Sequence, residues 1–111
     1  YYYQHRLEDA LSATTKALVI IRPTTGFPED WRELLPNHIT DAPAESLTQI
    51  RLYLFTLKAV GFLNMRLGNL DLSQAIFEKL VELDSKDRIG AQGLLELVIK
   101  RKTDVGWVGA A

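Results

Sequence analysis

The sequence predicts an all-α protein, and three observations carry that expectation. Apolar residues recur at i, i+3 and i+4 along several long segments. The stretch 67–84, LGNLDLSQAIFEKLVELD, reads as a tight turn, an amphipathic helix and an acidic stop. No segment sustains the period-two alternation of a half-buried strand. All four prolines gather in 23–43, so the helical pattern has one long interruption. A chain of 111 residues has room for one core. We therefore expect a single helical domain over 1–102, with 23–43 as a loop insertion and 103–111 as a flexible C-terminal tail.

The first helix is expected over 1–22, with Tyr3, Leu7, Ala10, Leu11, Thr14, Ala17, Leu18 and Ile21 on its apolar side. Pro23 has no amide proton and disfavours helix in the residue before it, so it should stop the helix. The chain opens on three tyrosines already inside this pattern, which leads us to expect a preceding helix. Tyr1–Tyr3 then read as cover for a core that helix would complete, and otherwise as a recognition patch.

Within the insertion, 28–35 (PEDWRELL) looks like a short helix, with Pro28 in its first turn and Glu29 and Asp30 at the positive end of its dipole. Pro36 should close it. Trp31, Leu34 and Leu35 would pin it to the body, so packing is preferred over a movable lid. Asp41 then caps a helix over 44–67, apolar on most of its circumference and ending at Gly68. Such a helix belongs between neighbours. Asp71 and Gln74 resemble a capping box opening a helix to Leu83. Its buried stripe should be Leu72, Ala75, Ile76, the Lys79 stem, Leu80 and Leu83, with Phe77 beside it. Asp87 caps a last helix to about Lys102, where Lys100, Arg101 and Lys102 suit the negative end of the dipole. Gly61, Gly90 and Gly93 would allow close helix approach, and Trp107 could fold back from the tail.

Composition narrows the function classes. The formal charge of −1 supplies no global field for nucleic acid or an acidic membrane. No window approaches the 18 uncharged apolar residues of a bilayer span. Cysteine is absent, which removes disulfides, a thiolate nucleophile and cysteine-held zinc. A cytoplasmic location is expected, with no nucleic-acid or membrane partner. His5 and His38 lack metal-ligand spacing, and no phosphate loop or nucleophile elbow occurs, so no catalytic residue, cofactor or metal is expected. The neighbouring acids Glu8/Asp9 and Glu29/Asp30 read as solvated helix starts rather than an acid–base pair.

Several motifs resemble the tetratricopeptide repeat family. Val60-Gly61 looks like the Leu-Gly of that repeat's first helix. Gly68-Asn69-Leu70-Asp71-Leu72-Ser73 looks like the entry to its second, followed by Phe77, Leu80, Val81, Leu83 and Asp84 at the family's aromatic, small, apolar and acidic places. A second match is His5-Arg6-Leu7-Glu8-Asp9-Ala10 with Lys16-Ala17-Leu18, so the resemblance covers about 1–22 and 54–100. Ser85 stands where proline is usual, Leu80 where alanine is, and Asn64 where an aromatic is. Ala10 and Ser73 lie 63 positions apart, against a family period of about 34. The resemblance implies antiparallel helical hairpins stacked as a short right-handed array, interrupted by the proline-rich insertion. It also implies a non-enzymatic module that binds a protein or peptide partner.

The implied groove is a stripe on the long helix: Arg51, Phe55, Lys58, Phe62, Met65 and Arg66, spaced by fours and threes. Tyr2 and Tyr3 would flank it on one side, and Gln92, Glu96 and Lys100 on the other. Two readings stay open, since Phe55 and Phe62 could instead be core and the cations merely solvated. In family members that clamp C-terminal carboxylates, Lys58 looks like one clamp lysine, but Phe62 occupies the place of an asparagine. The alternative function is an oligomerisation domain that pairs with a second copy through its apolar helix ends.

Overall fold

A computed structural model describes the backbone at 2–84 and 86–110 and the side chains at 4–84 and 86–104. The described residues are helical or in turns, with no strand among them. Five α-helices follow one another: α1 (Tyr2–Thr25), α2 (Pro36–Thr40), α3 (Leu47–Arg66), α4 (Leu70–Leu83) and α5 (Ala91–Ala110). Two 3-10 turns, Trp31–Glu33 and Ala44–Ser46, stand in the segment before α3. The molecule measures 52 × 29 × 20 Å. Helix α3 lies at its centre, packed along α1 on one side and α4 on the other, and α5 packs along α4 and touches α3.

The centrality of α3 follows from its composition. Ile50, Tyr53, Leu54, Leu57, Val60 and Met65 are all buried, an apolar arc too wide for a helix with only one neighbour. Gly61 sets the approach of α4. A Cβ built there would stand 2.8 Å from Cε1 of Phe77 and 2.9 Å from Cγ2 of Ile76, so only glycine fits this spacing. The Ser73 hydroxyl donates to the Gly61 carbonyl at 2.8 Å across the same contact. Between the two helices, Gly68 adopts φ +89°. The Gly68 amide donates to Met65 O and the Asn69 amide to Asn64 O, the pair of bonds that closes a Schellman turn. The buried Asn64 side chain donates to Val60 O and accepts from the Asn69 amide group.

Several expectations need correction. Helix α1 does not stop at Arg22 but carries Pro23 in its last turn. Thr24 and Thr25 donate their hydroxyls to the carbonyls of Ile21 and Arg22 there, and Gly26 ends the helix at φ +75°. The short helix over 28–35 is only a single 3-10 turn, capped by Asp30 through the Arg32 amide. Pro36 opens α2 instead of closing a helix, because proline suits the first turn as well as it stops a preceding one. Residues 44–46 form a 3-10 turn, and α3 proper begins at Leu47. On α4 the buried set is Ser73, Ile76, Phe77 and Leu80, while Leu72 is turned outward. Close approach at Gly61 rotates α4 so that Phe77 faces inward.

Asp71 and Gln74 do not form a capping box. Lys102 of α5 takes both, at 2.7 Å from Asp71 Oδ1 and 2.8 Å from Gln74 Oε1, and so ties α5 to the start of α4. The Lys102 bond and charge hold the exposed Asp71 carboxyl below its ordinary range. Of the three glycines expected at close approaches, only Gly61 serves that role; Gly93 faces open space, and Gly90 faces only the end of Lys58. The backbone of α5 is helical past Lys102 to Ala110. Trp107 lies outside the residues whose side chains are described.

The insertion is a packed element. Phe27 and Leu34 join the buried core, Phe27 meeting the Tyr53 ring edge-on at 5.1 Å. Arg22 donates to Phe27 O, and the half-buried Lys79 donates to Leu34 O at 2.8 Å. Trp31 packs against this cluster, but Leu35 is exposed and pins nothing. Burial raises the Tyr53 phenol pKa above its ordinary 10.0, an effect larger than the opposing pull of Arg22. The folded state then keeps a proton that the unfolded chain gives up. The contribution of Tyr53 to stability should be present in full below about pH 10 and be lost as pH rises past it. Denaturant midpoints measured from pH 9 to about pH 11 should fall less for Tyr53→Phe than for the unsubstituted chain.

Candidate functional site

Among the described residues, helix α3 leaves several large apolar side chains exposed on one face. Phe55 is 44% exposed and Phe62 36% exposed, with Leu52 beside them at 48%. Both phenylalanines therefore lie outside the core. Arg51 and Arg66 are exposed on the same helix, and the Arg66 guanidinium stands 5.9 Å from the Phe62 ring. Isolated exposed apolar residues are ordinary, whereas aromatics flanked by cations on a single helix face form a patch.

Two expected members of the stripe serve the fold. Met65 is only 2% exposed and belongs to the core, because it sits at the edge of the stripe nearest the buried arc. Lys58 is half-buried, and its Nζ donates to Ile89 O at 2.8 Å while lying 5.8 Å from the Phe55 ring. It ties the α4–α5 turn to α3, so its charge is already engaged. On α5, Gln92 and Lys100 are exposed, and no hydrogen bond or ion pair among the described residues joins their side chains to the α3 patch. The side chains of Tyr2 and Tyr3 lie outside the described residues.

Beside the patch the structure holds a cleft of about 250 Å³. It lies between α2, the first half of α3 and the α4–α5 turn. Its walls include Ile39, Ile50, Leu54 and Ile89, with Arg51 and Arg88 as cations. Asp84 also lines it, and its Oδ2 accepts from the Ile89 amide at 2.6 Å. Asp87, at φ +52°, shapes the same turn and accepts from the Gln92 amide. Arg88 is a turn residue with no periodic signal, so no helical spacing groups it with Arg51. On the far side of the molecule, α1 leaves Val19 66% and Ile20 73% exposed. Among the described residues no three of His, Cys, Asp and Glu gather in a way that could hold a metal ion. None of the described helices is long and apolar enough to cross a membrane.

These observations define an all-helical protein with an aromatic, cation-flanked face and an adjoining cleft. No protein-family model matches the chain, and no solved structure matches it. The chain is 34% identical over 105 residues to an uncharacterized 19.8 kDa protein in the nifW 5′ region of Azotobacter chroococcum mcd 1. That alignment takes in 95% of this chain, and the chain spans 59% of the relative's length.

Proposed function

We propose that this chain is a non-enzymatic, cytoplasmic, tetratricopeptide-like helical module that docks a protein or peptide partner on the exposed face of α3. The observation that carries the reading is the pair Phe55 and Phe62, partly exposed about two helical turns apart and bordered by Arg51 and Arg66. Aromatic side chains and arginine are the residues that most often anchor an interface. Support for stacked hairpins comes from the order of packing, α1 on α3, α3 on α4 and α4 on α5, and from the meeting of Gly61 and Phe77, two of the residues that carry the resemblance. The charges favour an acidic partner segment carrying apolar anchors.

The test is capture from lysate with the chain and with Phe55→Ser/Phe62→Ser. A specific partner should be lost by the variant, at a cost of about 2 kcal/mol or more in binding, while the unfolding midpoint holds. Retention of the same partners by the variant would overturn the reading. Lys58 is a poor position for this test, since removing it also releases the Ile89 carbonyl.

A second reading, self-association, is favoured by one observation, the exposed aliphatic pair Val19 and Ile20 on α1. Sedimentation at rising concentration should then show a dimer that Val19→Ser/Ile20→Ser abolishes. A monomer at every concentration would remove this reading.

A further inference from the structure

We propose that the cleft between α2, α3 and the α4–α5 turn binds a small free carboxylate with an apolar body, such as a short aliphatic acid. Two features set that chemistry. The floor is apolar: Ile50, Leu54 and Ile89 are buried, and Ile39 adds a further aliphatic wall. Arg51 and Arg88 are exposed at the same cleft, and neither side chain has a hydrogen bond or ion pair among the described residues. The one acid present, Asp84, already serves the Ile89 amide.

Two guanidinium groups and one carboxylate leave the lining with a single positive charge, which a monoanion neutralises and a phosphate dianion overshoots. Guanidinium also offers paired donors with the geometry of a carboxylate. A volume of about 250 Å³ falls below that of sites for drug-sized ligands, which selects a small molecule over a length of chain. None of these residues is at a place where the family resemblance implies a carboxylate clamp. The inference therefore does not rest on the helical-module reading: Phe55→Ser/Phe62→Ser leaves the cleft intact, and the two proposals fail separately.

The experiment is a titration of the whole chain with hexanoate, followed by the isoleucine methyl resonances in NMR. Three parallel titrations use hexanamide, N-acetyl-alanyl-leucine and inorganic phosphate. Hexanoate should bind saturably and shift the methyls of Ile39, Ile50 and Ile89. Hexanamide should bind about tenfold more weakly or worse. Arg51→Gln/Arg88→Gln should weaken hexanoate by about tenfold or more with an unchanged unfolding midpoint. Arg66→Gln, an arginine-to-glutamine change outside the cleft, should leave its affinity unaltered. The proposal is overturned if hexanamide binds as well as hexanoate, if the double arginine variant binds like the unsubstituted chain, or if hexanoate gives no saturable shift. Tighter binding of the acetylated dipeptide or of phosphate than of hexanoate would overturn the assignment to a short aliphatic acid.

Discussion

Phe77→Ala should be among the most damaging single substitutions in this chain, lowering stability by about 3–5 kcal/mol. The ring is fully buried and lies against Gly61 at the tightest approach of α3 and α4. Removing it loses the transfer energy of the ring and leaves a cavity that two helices already in close contact cannot readily fill. Against a total stability of about 5–15 kcal/mol, that loss takes much of the margin. The same contact should be sensitive from the other side. Gly61→Ala gains about 1 kcal/mol of helix propensity, but its methyl group would meet Phe77 and Ile76 inside 3 Å. Overpacking of this kind costs about 1–3 kcal/mol. Phe77→Leu removes the ring side of that clash and leaves only Ile76 to give way, so Gly61→Ala should be better tolerated beside Phe77→Leu than alone. A double-mutant cycle by urea unfolding measures the coupling. Additive losses would mean that the two positions do not define the helix spacing.

Leu34→Ala should cost about 2–5 kcal/mol, a value expected of core and not of a mobile loop. Leu34 is fully buried although it lies in the proline-rich insertion, and its carbonyl accepts from Lys79 of α4. Phe27 enters the same core against Tyr53. Leu35→Ala is the internal control. Its side chain is exposed, and a surface change of this kind stays within about 0.5 kcal/mol. Chemical denaturation of both variants tests the point. Equal small effects would show that the insertion is a lid lying loosely over the helices.

The long helices were legible because each is long enough for its period to speak. α3 and α4 run close to their expected bounds, and Gly68 ends α3 as a glycine at that place should. The insertion was less legible, since proline marks both the end of one helix and the start of the next. Pro36 does the second where the first was expected. The rotation of α4 was hidden for another reason. Leu72 and Ala75 on one side of Ile76 and Ser73 and Phe77 on the other are comparable faces in one dimension. The missing Cβ at Gly61 decides between them in three. Asp71 and Gln74 had the spacing of a capping box, yet Lys102, distant in sequence, outbids the backbone for both.

The candidate site divides in the same way. Phe55, Phe62, Arg51 and Arg66 could be grouped by helical spacing alone, and all four are exposed. Met65 and Lys58 shared that spacing but lie nearer the buried arc, where Met65 fills the core and Lys58 finds the Ile89 carbonyl. Arg88 reaches the cleft only because Asp84 folds the α4–α5 turn back through the Ile89 amide. A contact made by turn geometry leaves no periodic trace.

The measurement that tests the central claim most directly is site-specific photo-crosslinking, with a photoreactive phenylalanine at position 62 in one sample and at position 20 in another. A docking face on α3 should give an adduct to a different protein from position 62, competed away by excess unlabelled chain, and none from position 20. Adducts from position 20 alone, formed only with a second copy of this chain, would contradict the account and make α1 the working surface.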